Sequence, residues 1–177
     1  MSIVTPLKTA AEQVLSTQFA NAKAELPGGP AVRKLREDAF AGFEAKGLPH
    51  RRLESWRYTD LRALLREARP LAAKPVVTPE IVALLDALKL DGVRLVLVDG
   101  SFVPELSTLE WLPAVVTVQP LSEALVATRD DLTGLISGPG IARDDTGLML
   151  NTALMSDGAV IEIADGLIVN ADATYAS

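Results

Sequence analysis

Apolar positions recur at helical spacing over the first ninety residues and in short β-type runs after them. Leu7, Ala11, Val14, Leu15, Phe19 and Ala22 fall on one face of a first helix. Thr5 and Pro6 stand ahead of it as cap and first-turn residue, and the PGGP at 27–30 ends it. Val32, Leu35, Ala39 and Phe43 mark a second helix from Ala31, with Gly47 placed as its stop. Two amphipathic helices across a short break predict a helical hairpin. Leu48 ahead of Pro49 reads as extended. Thr59 or Asp60 can cap a short helix carrying Leu61, Leu64 and Leu65. Pro70 and Pro75 mark a linker. Thr78 and Pro79 then open a helix, EIVALLDALKL, which Asp91 and Gly92 end.

The period changes at residue 93. VRLVLVDG reads as a strand closing in an Asp-Gly turn, with Phe102 and Val103 beginning its hairpin partner. Residues 114–118 form a second strong strand. Pro120 opens a helical stretch with Leu121, Leu125, Leu132 and Leu135, recapped midway at Asp130 and Asp131. The GPG at 138–140 is a loop. Asp144, Asp145 or Thr146 caps a helix through LMLNTALM, apolar on most faces and so expected to be buried. Asp157 and Gly158 end it, and AVIEIADGLIV reads as strand, turn, strand. The predicted class is α+β in three segments: a helical arm at 1–47, a helical linker region at 48–92, and a mixed α/β region at 93–177.

Composition narrows the chemistry. A chain of 177 residues can bury a core without a metal or disulfide to help it. It has no cysteine, which excludes thiolate catalysis and any cysteine-ligated zinc or iron–sulfur site within this chain. The net charge of −6 argues against nucleic acid as a partner. The start lacks the features of a signal peptide, and no apolar run is long enough to span a membrane, so a cytoplasmic protein without membrane contact is expected. The basic residues of the first seventy positions, Arg36 among them, alternate with acids such as Glu37, Asp38 and Glu67 and read as solvated helix faces.

Candidate catalytic groups are few. Asp145, Thr146 and Gly147 spell the triplet that retroviral-type aspartic proteases place on their active-site loop. That loop follows an apolar strand, whereas this triplet precedes a helical run, so helix capping is the favoured reading and a small aspartate-dependent hydrolase the alternative. The glycines of SGPGIARDDTG match no phosphate-binding spacing. His50 stands alone, with no second ligand for a metal. We therefore expect no catalytic, cofactor-binding or metal residues. What remains is the crowded stretch at 48–61, LPHRRLESWRYTDL. If it is extended, Trp56 and Tyr58 point to one side. Glu54 can pair with Arg51, Arg52 or Arg57. This reads as a clamp that seats the chain on an apolar surface, or as a partner-binding module at residues 51–58.

The same stretch carries a family resemblance. Pro49, Arg51, Arg52, Glu54, Trp56, Arg57, Tyr58, Thr59, Asp60 and Leu61, in that order, closely resemble the N-terminal signature of the SufD family. RLVLVDGSFVPELS at 94–107 and LNTALMSDGAVIEIADG at 150–166 resemble two later family segments. The resemblance implies a component of the SufBCD iron–sulfur cluster assembly scaffold. It implies SufB-like and SufC-like (ATPase) partners, contacted mostly outside this chain. It also implies a right-handed β-helix beginning near the chain end, which makes the chain a fragment of a longer protein. An unfinished sheet there would leave an edge through which two copies can pair.

Overall fold

The computed structural model describes residues 7–88, 91–127, 130–137 and 144–165. Helix α1 (Ala10–Ala22) begins later than the apolar spacing suggests, because TAAE forms a capping box around it. The Glu12 amide donates to Thr9 Oγ1 at 3.2 Å, and the Thr9 amide donates to Glu12 Oε2 at 2.6 Å. Leu7 therefore lies outside the helix and is exposed. Thr5 and Pro6 lie outside the described residues. Helix α2 (Pro30–Lys46) has Pro30 in its first turn and stops at Gly47, whose φ of +74° suits glycine. A second reason for glycine is the approach of α1: a Cβ at Gly47 would lie 2.6 Å from Glu12 Oε1.

The hairpin of α1 and α2 does not stand apart from the rest. Its most extensive packing is between α2 and α7 (Thr146–Leu154), which comes from the far end of the sequence. Gly42 permits that approach, since a Cβ there would meet the Met149 sulfur at 2.8 Å. The core joins Leu15, Phe19, Phe40, Phe43 and Leu48 to Ala153 of α7. Phe19 and Phe40 stack with centroids 4.1 Å apart, and Phe43 tilts against Phe40 at 5.7 Å.

Arg36 is the departure from the sequence reading. It is not on a solvated face but 1% exposed, on the same stripe of α2 as Val32, Phe40 and Phe43. Its guanidinium donates to the carbonyls of Pro27 at 2.8 Å, Ala153 at 3.2 Å and Met155 at 2.6 Å. It thereby supplies donors to carbonyls at the C-terminal end of α7, which carries the negative end of the helix dipole. Burial pulls its pKa down to about 10, so the side chain remains a cation at neutral pH.

Four-residue α3 (Leu61–Leu64) is capped by Asp60, whose Oδ1 accepts from the Ala63 amide at 3.0 Å. Helix α4 (Pro79–Ala87) starts at Thr78 and Pro79 as expected but ends before Gly92, and none of its side chains is fully buried. Strands β1 (Leu97–Val98) and β2 (Ser101–Phe102) pair antiparallel, Leu97 opposite Phe102. Asp99 and Gly100 between them both have positive φ, the requirement of the tight hairpin turn that Asp-Gly favours. Strand β3 (Val116–Pro120) starts two residues later than 114 and includes Pro120, which then caps α5 (Leu121–Val126). Helix α6 (Asp130–Ser137) follows and packs on α2. Strand β4 (Ala159–Ile163) returns antiparallel to β3, Val116 opposite Ile163 and Val118 opposite Ile161.

The result is a mixed α/β structure with two small antiparallel sheets. Among the described residues no coil of a β-helix is formed. The second strand expected after Asp165, and the loop at 138–140, lie outside the described residues. Among the described residues no helix is long and apolar enough to cross a membrane.

Candidate functional site

The stretch at 48–61 is not extended. Leu48 and Pro49 are buried, and the chain then coils: the Leu53 amide donates to His50 O at 3.0 Å, and the Thr59 amide to Trp56 O at 2.9 Å. A 3-10 turn covers Glu54–Trp56. Because successive side chains of such a turn point in different directions, Trp56 and Tyr58 do not share a side. Trp56 turns inward and is half-buried, whereas Tyr58 is 86% exposed.

Trp56 anchors to the start of α7. Its indole Nε1 donates to Asp145 Oδ2 at 3.2 Å, and its ring edge lies where a Cβ at Gly147 would come within 3.0 Å. Asp145 is the N-cap of α7: Oδ1 accepts from the Gly147 and Leu148 amides at 2.8 and 3.1 Å. The carboxylate thus closes the helix end on one side and holds the tryptophan on the other. Asp144 faces away, 2.6 Å from Lys46 Nζ at the end of α2. The pairing with Lys46 holds the Asp144 carboxyl below its ordinary pKa.

The outward residues interact among themselves. Glu54 pairs with Arg57 at 2.9 Å, and the Arg57 guanidinium lies 4.6 Å from the centre of the Tyr58 ring. Arg51 is 3.7 Å from Asp60, the Arg52 amide donates to His50 Nδ1, and Thr59 is exposed. So the expected clamp divides. Trp56 seats the segment, but the Glu54 ion pair is solvent-exposed and too weak to fix it. The helix that follows is held instead by Asp60.

Three buried or bridging polar groups were not anticipated. Glu12, 3% exposed, accepts from the Leu48 amide at 2.7 Å as well as from Thr9, and lies 4.0 Å from Arg62. Burial pushes its pKa up, but the Thr9 and Leu48 amides and the Arg62 charge outweigh it and leave the pKa lowered. The TAAE spacing was a usable signal for it. Arg36 carried no local signal that set it apart from the solvated basic residues beside it. Asp157 carried no local signal beyond its turn: Oδ2 accepts from the Phe102 amide at 3.1 Å and Oδ1 from the Ser122 amide at 2.9 Å, joining the β1–β2 hairpin to α5. Among the described residues no group of three or more His, Asp or Glu side chains stands together as a metal-binding set.

Residues 10–172 match the family described as the SufBD protein N-terminal region. The chain belongs to the SufBD family. It is 33% identical over 118 residues to an iron–sulfur cluster assembly SufBD family protein of Synechocystis sp., covering 66% of this chain and 25% of that protein. It is 46% identical over 61 residues to the iron–sulfur cluster assembly protein SufD of Escherichia coli, covering 34% of this chain and 14% of that one. The matches thus span a quarter or less of each relative. No solved structure gives a significant match. Within this SufBD region, the signature at 49–61 combines an inward anchor on α7 with an outward arginine-rich surface.

Proposed function

We propose that this SufBD chain is an N-terminal accessory domain of a SufD-like protein, supporting assembly of an iron–sulfur cluster-building complex with SufB-like and SufC-like subunits rather than catalysing a reaction. The observation that carries the reading is the family match along residues 10–172. The site geometry is consistent with it: the chain's buried polar groups act on helix ends and turns, and Trp56 and Asp145 lock one segment to another. The test is co-purification of the longer protein carrying this region with SufB-like and SufC-like subunits, together with iron–sulfur enzyme activity in cells lacking it. The reading fails if the protein associates with neither subunit and its loss leaves cluster-dependent activity unchanged.

An aspartate-dependent hydrolase at Asp145 has less support, because both oxygens of that carboxylate already accept hydrogen bonds from the chain. A homodimer through the β4 edge is a second possibility for the isolated chain. Ile161 and Ile163 are each more than half exposed on a strand that pairs only with β3 among the described residues, an arrangement open to strand pairing between copies. Light scattering that shows only monomer at high micromolar concentration would remove it.

A further inference from the structure

The outer face of the signature is exposed at Arg51, Arg52, Glu54, Arg57 and Tyr58. Residues 50–69 carry six arginines against three carboxylates, in a chain whose net charge is −6. Three of those arginines gather at an open cleft lined by Thr9, His50, Arg51, Arg52, Asp60 and Arg62. Arg62 is held in place there, donating to Leu7 O at 2.8 Å with the Glu12 carboxylate 4.0 Å away. Arg51 is 79% exposed, and its Nε lies 3.7 Å from Asp60 Oδ2, beyond hydrogen-bond length. Asp60 commits its other oxygen to the cap of α3. The Arg52 guanidinium forms no ion pair among the described residues and is exposed.

The backbone that presents these groups is fixed before any partner arrives. Leu48 and Pro49 are buried, Trp56 is anchored on α7, and the Arg62 amide donates to Pro49 O at 3.2 Å across the base of the cleft. The fixed backbone need not reorganise on binding, which favours affinity, although the exposed Arg51 and Arg52 side chains still lose rotamer freedom when they pair. We propose that this cleft docks an acidic polypeptide segment of a partner protein, whose carboxylates pair with the guanidinium groups of Arg51 and Arg52. The inference rests on the reading of the chain as an assembly domain and adds where, and to what chemistry, it binds. Guanidinium forks match carboxylates in pairs. The acidic remainder of the chain opposes a nucleic acid, whose phosphates extend far beyond the cleft. The open cleft cannot enclose a small free anion.

Titration of the full chain with fluorescein-labelled octaglutamate, followed by fluorescence anisotropy, tests this. Binding at low salt is expected to weaken on raising salt to about 0.3 M. The double variant Arg51→Ala/Arg52→Ala is expected to bind about five- to thirtyfold more weakly, since both pairing groups are gone. Arg51→Lys/Arg52→Lys keeps the charge and should retain part of the affinity. Lys23→Ala/Arg33→Ala removes the same charge from the C-cap of α1 and the start of α2, Lys23 lying about 20 Å along α1 from Thr9, and should leave binding within twofold. Equal loss in that control would reduce the effect to net charge and overturn the proposal. So would no binding of octaglutamate, tighter binding of an oligothymidylate of equal length, or full displacement by millimolar inorganic phosphate. Because the probe needs no other subunit, this result is independent of whether the SufB-like and SufC-like subunits co-purify.

Discussion

Replacing Arg36 by methionine tests whether a single buried cation holds the hairpin to the end of α7. Methionine fills most of the volume of the arginine stem and removes only the guanidinium. Three carbonyls, of Pro27, Ala153 and Met155, then lose their firm donors. A carbonyl left unpaired costs ~1–3 kcal/mol when buried, as at Ala153, and less where water can reach it, as at the part-buried Pro27 and Met155. Against this, the cost of burying the charge is recovered. Burial's pull on the pKa from 12.5 to about 10 corresponds to roughly 3 kcal/mol. The carbonyls are backbone groups that no apolar side chain can satisfy, so the balance is unfavourable, by about 2–4 kcal/mol. Urea unfolding followed by circular dichroism measures it, with an unchanged m-value as the sign that only stability has moved. Arg36→Lys should fall between, because one ammonium cannot reach the Pro27 carbonyl and the α7 end together. If Arg36→Met is within about 1 kcal/mol of the parent, the guanidinium is not what joins these elements.

Trp56→Ala should cost about 2–4 kcal/mol in urea unfolding, less than for a fully buried tryptophan, and Trp56→Phe about 1 kcal/mol for the lost bond to Asp145. A null effect of Trp56→Ala would transfer this residue from anchor to interface. Glu12 has a folded pKa below its ordinary value of 4.5, so its stabilisation is complete above that value and is lost as pH falls through the folded pKa. Glu12→Gln should therefore lower stability at neutral pH and flatten the acid limb of the stability–pH curve; an unchanged limb would refute the assignment. Glu54→Gln and Tyr58→Ala should each change stability by no more than about 0.5 kcal/mol, because both side chains face water, and a larger loss in thermal unfolding would show that the outer face is structural after all.

Residues close together in sequence determined a good deal about this protein. Gly47 after the last turn of α2, Asp60 before α3 and the Asp99 and Gly100 turn all act through stereochemistry within a few residues. Their effect is therefore legible without knowing the fold. The three SufBD-type motifs were legible for a different reason, as an ordered pattern that the family match bears out. The local reading failed where two local solutions competed. The alternation of Trp56 and Tyr58 suits a strand, but the turn closed by His50 and Leu53 took the segment instead.

Only the tertiary structure decided which distant groups meet. Trp56 finds Asp145 89 positions away, Arg36 finds the Met155 carbonyl 119 positions away, and Asp157 joins Phe102 to Ser122. Nothing in the local sequence around Arg36 distinguishes a solvated arginine from a buried one. The distinction arises because α7 packs across α2 at Gly42 and brings unpaired carbonyls to the guanidinium. The same packing divides the signature, turning Trp56 inward onto α7 and leaving Arg51 and Arg52 on an open face. Local stereochemistry sets where elements begin and end, and long-range packing sets which of their polar groups are buried, paired or left for a partner.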